Sequence, residues 1–390
     1  MYRNTRFAEI MEGLPRASFE KIVKQNKADK YSKGFGSWNQ LISMIFAQIS
    51  GSRSLRELEA GFNSQSTHHY HLGMSKIKRS TLADANSNRS CDVFEKACQL
   101  LLQQAHRRER KEIKDLLYLI DSTPISLKGL GYDDWTKSNS NYRTQGLKIH
   151  MMVSADTQTP VHAEITAPNV NDITAGKRIA LEKGACYVFD KGYNDYNWWY
   201  QIHQADAFFV GRFKKNAGIE PIKSLEIPIS AEKVILSDAV VTFKNKRPGG
   251  KRINNYYGTK LRRIVVDRPE KKTPLILVTN DFSRSAEDVA ERYKSRWGIE
   301  LFFKWLKQNL KIKQFLGRSK NAVKLQIYTA IITYLLVQAY QTRKEVKTTL
   351  RLCLAALKSS LFQRPDVERA VKRRQEEHEK YLDQQRVLAI

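Results

Sequence analysis

The rhythm of hydrophobic and polar positions changes three times along the chain. Residues 1–110 carry helical spacing. Asn39 to Ile49 is apolar-periodic, Ser50-Gly51-Ser52-Arg53 breaks it, and Ser54 can cap a second helix over Leu55 to Phe62. This pair reads either as a DNA-contacting helix-turn-helix or as a plain helical hairpin. The basic stretch Lys76-Ile77-Lys78-Arg79 leads through Ser80-Thr81 into a helix over Leu82 to Asn86, either a phosphate contact or a solvated loop. His68, His69 and His71 lack any companion cysteine spacing and read as a polar loop.

After the charged run His106 to Lys114, strands take over. Leu116 to Ile120 is a continuous apolar run ending at Asp121, as expected of a strand buried on both faces. Leu147 to Ser154 and Pro160 to Thr166 alternate around Asp156-Thr157-Gln158-Thr159, which predicts a hairpin. A helix over Asp172 to Lys183 follows, then a second buried strand, Cys186 to Phe189, ending at Asp190. A helix over Tyr196 to Gln204 and a strand over Ala207 to Val210 complete the series. The first three strands suit an antiparallel meander. The first and fourth suit a parallel pair joined by a right-handed crossover, which brings Asp121 and Asp190 together at the strands' C-terminal ends.

Between 212 and 272 the pattern breaks into short strand-like pieces. These are Lys233 to Leu236, Ala239 to Phe243 and Leu261 to Val266, separated by turns such as Pro248-Gly249-Gly250. Leu275 to Thr279 returns as a strand. Ser285 to Leu310 predicts one long helix opened by a Ser285/Asp288 capping box. Val323 to Tyr340 carries Lys324, Gln326, Thr329 and Gln338, so it reads as a buried core helix and no membrane span is expected. Asp366 to Arg386 predicts a charged helix, solvent-exposed or an assembly contact.

Composition then narrows the partners. At 390 residues, 41% hydrophobic and 27% charged, the chain suits two or three folded domains. Its 67 basic and 40 acidic residues give a net charge of +27, which points to a polyanion: nucleic acid first, an anionic membrane surface second. Residues 212–272 hold 16 Lys or Arg against 6 Asp or Glu, so part of that footprint is expected there. The four cysteines form no CxxC pair and read as reduced thiols of a cytoplasmic protein. The N-terminus lacks an apolar signal core, so export is not expected.

Chemistry concentrates on the long helix. Tyr293, Arg296, Glu300 and Lys307 share one helical face, bordered by Trp297 and Lys304. Spacing alone leaves open a merely solvated face. Together with Asp121 and Asp190, however, Glu300 would make a third carboxylate, and three carboxylates at one point require cations. Oxygen ligands without Cys or His suit Mg²⁺ or Mn²⁺, and two such ions promote phosphodiester chemistry. The residues themselves therefore support metal-dependent phosphoryl transfer on nucleic acid. Asp195 is an alternative second carboxylate or a helix cap, and Asp133 and Asp134 read as solvated. Lys148 and His150 either face the metal site or include a satisfied sheet histidine. Trp297 either stacks on an extruded base or packs in the core.

The spacing Tyr293-x2-Arg296-x3-Glu300-x6-Lys307 resembles the YREK signature of bacterial insertion-sequence DDE transposases, in the branch named after insertion sequence four. Ile120-Asp121-Ser122-Thr123 resembles that family's first-Asp motif, and Phe189-Asp190-Lys191-Gly192-Tyr193 its second. The similarity runs from about residue 115 to 315. It implies an α/β fold: an RNase H-like core (111–211 and 273–320) with a β-rich basic insertion (212–272). Helical flanks would be a candidate DNA-binding region (1–110) and a C-terminal region (321–390). Asp121, Asp190 and Glu300 would be the catalytic metal ligands for two Mg²⁺ (or Mn²⁺) ions. Tyr293, Arg296 and Lys307 would contact DNA phosphates, with Trp297 and Lys304 as further DNA-binding candidates. The implied activity is cutting at terminal inverted repeats of double-stranded DNA, possible through a hairpin. The 3′ hydroxyl is then joined to target DNA by a homodimer on paired ends, in the cytoplasm at the nucleoid. Two readings compete: a catalytically silent DNA-binding protein, and an RNase H-like nuclease without strand transfer.

Overall fold

The structure, a computed structural model, describes residues 4–364 apart from 142, 215–216, 230, 249–251 and 272. The chain divides into a helical unit, Met1–Leu101 with Lys307–Ile390, and a sheet unit, Leu102–Leu306. The turn expected at Pro248-Gly249-Gly250 and the helix expected over Asp366 to Arg386 lie outside the described residues, the first of them in part.

The helical unit opens with α1 (Arg6–Met11), α2 (Arg16–Gln25), α3 (Ser37–Ser50), α4 (Leu55–Asn63) and α5 (Arg79–Asn88), followed by α6 (Asp92–Glu112). Ser54 caps α4 as its position predicts, its hydroxyl accepting from the Glu57 N–H at 3.1 Å. His68, His69 and His71 lie in a 3-10 turn over Ser66–Leu72, where buried His69 meets the Phe62 carbonyl at 2.9 Å.

In the sheet unit the strands are β1 (Leu117–Ser126), β2 (Gly146–Ser154), β3 (Pro160–Thr166), β4 (Cys186–Phe189), β5 (Phe208–Arg212), β6 (Ile219–Ser224), β7 (Ile235–Phe243), β8 (Leu261–Val266) and β9 (Leu275–Thr279). They form one sheet in the order β3-β2-β1-β4-β5-β9-β8-β7-β6. The meander β1–β2–β3 is antiparallel and β1 and β4 are parallel, as the pattern predicts, and β5 joins β4 as a third parallel strand. Between them run α7 (Asp133–Thr136), α8 (Asp172–Gly176) and α9 (Tyr196–Gln204), and α10 (Ala286–Ser295) and α11 (Trp297–Asn309) follow β9.

Four expectations are corrected. First, β1 does not end at Asp121. It stays paired with β2 as far as Ser126, while its pairing with β4 stops at Ile120↔Phe189. The extension therefore has no need of continuous apolarity. Second, the helix expected over Asp172 to Lys183 stops at Gly176. Three-residue bonds from Arg178 N–H to Ala175 and from Ile179 N–H to Gly176 tighten the chain there. Third, the strand pieces at Lys233 to Leu236 and Ala239 to Phe243 are one strand, β7, with an irregularity between Ile235 and Ser237. Strands β6, β7 and β8 also belong to the same sheet as β1. Fourth, the long helix after Ser285 is broken at Arg296. The N–H groups of Arg296 and Ile299 each bond three residues back, at 3.2 Å. Just beyond the break, Gly298 lets the chain approach the sheet. A Cβ there would stand 3.0 Å from Gln158 and 3.2 Å from Leu119.

The capping box is present: the Ser285 hydroxyl accepts from Asp288 N–H at 3.1 Å, and the Asp288 carboxylate accepts from Ser285 N–H at 3.4 Å. Phe189, Trp198, Trp199, Phe209 and Tyr256 build an aromatic core against the sheet. Back in the helical unit, α12 (Lys320–Arg343) packs against α3, α5, α1 and α13 (Leu350–Ser360). By length and composition α12 is apolar enough to cross a membrane, yet 83% of its apolar window is buried within the protein. Its Thr329 and Thr333 hydroxyls satisfy themselves on their own helix, each at 2.8 Å. All four cysteines are buried and free.

Candidate active site

Register builds the site. In the parallel ladder, Leu119 pairs with Val188 and Ile120 with Phe189, so the next positions are Asp121 and Asp190. In the neighbouring ladder Val188 pairs with Val210, so Asp190 falls opposite Arg212. Asp121 and Asp190 thus each follow the last paired position of the β1–β4 ladder, and with Arg212 at the end of β5 they make a row of strand ends. The apolar run below each aspartate fixes the strands, and Gly211 makes room for the Phe189 ring, which a Cβ would meet at 2.9 Å.

Glu300 joins this row through Arg296. The Arg296 guanidinium is 2.7 Å from a Glu300 carboxylate oxygen and 3.6 Å from one of Asp121. Arg212 stands 3.8 Å from Asp190. Burial pushes the Asp121 carboxyl up to about 6; the Ser122 N–H, at 2.8 Å, and Arg296 oppose the rise, while Glu300 and Asp172 add to it. Burial works against the charge of Arg296, but Glu300, Tyr293 and Asp121 outweigh it, and its pKa is raised. Tyr293 lies under this guanidinium, 5.9 Å from ring centroid to Cζ, and burial and Asp190 raise its phenol.

Lys148 and His150, which share one face of β2, belong to a supporting layer whose centre, Asp172, had no local signal in the sequence. Asp172, at the start of α8, accepts from the Ser122 hydroxyl at 2.8 Å and from Lys148 at 3.1 Å. His150 Nδ1 is 3.6 Å from the same carboxylate, and its Nε2 meets the Thr166 hydroxyl at 2.9 Å. His150 is thus half-satisfied: Nε2 has its partner, while buried Nδ1 has no hydrogen bond and faces Asp172, and burial lowers the pKa of the ring to about 4. Gly192 admits Asp172 to this position: a Cβ there would stand 2.9 Å from the carboxylate. Arg212 carries no local signal either: the strand expected over Ala207 to Val210 stops short of it, and only the β4–β5 ladder brings it beside Asp190.

The remaining candidates separate. Asp195 caps α9, accepting from Trp198 N–H at 2.9 Å, and pairs with Lys177 at 2.6 Å. Asp133 is tied to Gly129 N–H at 2.8 Å and to Gln145 at 2.7 Å, so it organises its loop instead of lying free in solvent. Trp297 is 58% exposed, which removes the core-packing alternative. Lys304 is exposed on α11. Lys307, near the end of α11, lines a basic cleft of the helical unit.

Among the described residues, no three acidic, imidazole or thiol groups converge closely enough to hold one ion. The charge of the three carboxylates is met instead by Arg296 and Arg212. The donor set still suits a hard cation. It is all oxygen, and one buried Asp190 oxygen has no hydrogen-bond partner.

Residues 112–336 match the family described as Transposase DDE domain, and the chain belongs to that family. It is a DDE transposase, an enzyme of DNA, and such domains generally use divalent metal ions. Residues 2–75 match a domain of unknown function, DUF4372. A protein of Sinorhizobium fredii named as a transposase, y4zB, is 40% identical over 73% of this chain and 78% of its own. A transposase named for insertion sequence element IS5377 of Geobacillus stearothermophilus is 26% identical over 71% of this chain and 72% of its own. The cryo-EM structure of the piggyBac transposase synaptic complex with hairpin DNA aligns with a TM-score of 0.46 and 13% identity, over 93% of this chain and 82% of that one.

Proposed function

We propose that this transposase cuts the ends of its own element and joins the freed 3′ hydroxyl to target DNA. In this reading it works with two Mg²⁺ ions on an RNase H-like core, in the insertion-sequence-four branch. The observation that supports it best is that Asp121 and Asp190 directly follow the last paired residues of two adjacent parallel strands, with Glu300 linked to Asp121 through Arg296. Asp121, Asp190 and Glu300 would hold the cations. When bound, these would activate the attacking hydroxyl and stabilise the leaving oxygen of the phosphodiester.

The chain's own residues do the rest. Ser122 N–H orients the Asp121 carboxylate, and Asp172 fixes Ser122 by accepting from its hydroxyl. Arg296 bridges Asp121 and Glu300, and its forked guanidinium also has the geometry to hold a DNA phosphate beside them. Tyr293 and Lys307 complete the YREK grip on the end. Exposed Trp297 offers a face to an unpaired base, as a hairpin intermediate would require. Action by a homodimer on paired ends, at the nucleoid, completes the proposal. The test is cleavage of a duplex carrying the element's terminal repeat. Mg²⁺-dependent nicking at the repeat boundary is expected; metal-independent or sequence-blind cutting would sink the reading.

A further inference from the structure

Three segments remote in sequence enclose a cleft of about 880 Å³ in the helical unit. They are the turn between α3 and α4, the end of α11 with the loop after it, and α13. Its walls carry Arg53, Lys307, Lys311, Lys313, Arg351 and Lys358 against one carboxylate, Glu57. That carboxylate already accepts the Arg53 backbone N–H at 2.8 Å. Among the described residues, no ion pair joins Arg53, Lys311, Lys313, Arg351 or Lys358 to an acid.

The loop bearing Lys311 and Lys313 is held rigidly. Buried Gln48 accepts from Lys311 N–H at 2.7 Å. Buried Gln326 donates to the carbonyls of Lys311 and Gln314, at 2.6 and 2.8 Å, and accepts from Leu316 N–H at 2.9 Å. Gly51, with φ +76°, leaves bare backbone beneath two converging lysines. A Cβ there would lie 3.4 Å from Lys358 Nζ and 3.7 Å from Lys311 Cε. Burial lowers the Lys307 ammonium, and Lys313 lowers it further, so like charges are being held together. The α3 C-terminus attracts cations and accounts for Lys311 and Lys358. It does not account for Lys307 and Lys313, whose charges oppose each other, or for Arg351, which lines the same cleft.

A cleft that gathers Arg53, Lys311, Lys313, Arg351 and Lys358, with no ion pair to an acid among the described residues, is shaped for an anion. Gln308, Asn309 and Ser50 add neutral donors to the walls, the mixture that meets phosphate oxygens along a DNA strand. A flat membrane cannot enter a concave site. We infer that this cleft takes the phosphate backbone of DNA, giving the DUF4372 segment and α13 a shared role. The inference rests on DNA being the substrate, not on where or whether it is cut.

The test uses the full chain, a short labelled duplex and no divalent cation. Lys311→Gln, Lys313→Gln, Arg351→Gln and Lys358→Gln are combined, and compared with Lys21→Gln, Lys24→Gln, Lys27→Gln and Lys30→Gln, all exposed positions on or beside α2. The cleft set is expected to weaken binding by at least about tenfold and to cut the log–log salt slope by about 3–4, at roughly 0.9 per phosphate contact. The second set should change affinity by less than about threefold. Equal losses in both sets would reduce the effect to net charge, and no loss in the cleft set would leave the cleft without a ligand; either overturns the inference. Lys→Arg at 311, 313 and 358 should keep the slope. Its loss there too would mean that these lysines serve the fold, which also overturns it. Binding through the cleft by a chain that never cuts would sink the transposition reading and leave this one standing.

Discussion

The carboxylate site of the sheet unit and the cleft of the helical unit handle charge in opposite ways. In the sheet unit, close charges neutralise one another. Arg262 forks onto Asp238 at 3.0 and 2.6 Å, Lys148 meets Asp172, and Arg296 serves both Asp121 and Glu300. In the helical unit's cleft, cations face cations. The first arrangement keeps carboxylates together in the absence of a cation; the second keeps a repulsion that an incoming anion would relieve. Under the proposed reading the first serves chemistry and the second grip, so each should be open to disturbance without the other.

The sharpest separation comes from the carboxylates. Asp121→Asn, Asp190→Asn or Glu300→Gln should each remove at least about 3 kcal/mol of transition-state stabilisation, over 100-fold in rate. Duplex binding, measured by anisotropy, should survive. Near-normal cutting by any one variant would mean that residue is misassigned. Arg296→Ala should cost about 2–4 kcal/mol in strand transfer. Arg296→Lys should recover only part, because an ammonium cannot span two acceptors as a guanidinium does. Full recovery with Lys would reduce the role of Arg296 to a point charge.

Asp121 also carries a stability signature. Its folded pKa, about 6, lies above the ordinary carboxylate value of 3.8. Ionisation therefore works against the fold: the favourable contribution is complete below the ordinary value and disappears as pH rises through about 6. Near pH 8, Asp121→Asn should be more stable than wild type by on the order of 2–3 kcal/mol, while near pH 4 the two should coincide. Thermal unfolding across that range gives the answer, and a gap that does not grow with pH would remove burial as the governing cause. The smallest effect expected is Gly192→Ala. Its Cβ would press the Asp172 carboxylate, which is tied to Ser122 and Lys148, and should cost about 1 kcal/mol in unfolding free energy. An unchanged stability would show that Asp172 moves freely.

These residues also mark how far the sequence could be read. Apolar runs ending in Asp121 and Asp190 foretold a parallel pair, because burial on both faces writes itself into consecutive positions. The offsets from Tyr293 to Lys307 placed Arg296 beside Glu300 for the same local reason. The break at Arg296 left no such trace. It depends on how closely Gly298 approaches Leu119 and Gln158, which are remote in sequence. Asp172 looked like an ordinary helix start, since its partners Ser122 and Lys148 come from two other strands. The joining of β6–β8 to the main sheet rests on β8–β9 pairing, and the sequence pattern carried only the strands, not their neighbour.

One measurement bears most directly on the central claim, that this is a strand-transferring enzyme whose chemistry runs on Asp121, Asp190 and Glu300. A pre-cut, labelled element end with a free 3′ hydroxyl is given Mg²⁺ and a target duplex, with wild type and Glu300→Gln run side by side. Wild type should yield a joined product that depends on Mg²⁺, and Glu300→Gln should reduce it more than about 100-fold while still binding the end. Hydrolysis without joining by wild type, or undiminished joining by Glu300→Gln, would contradict the account.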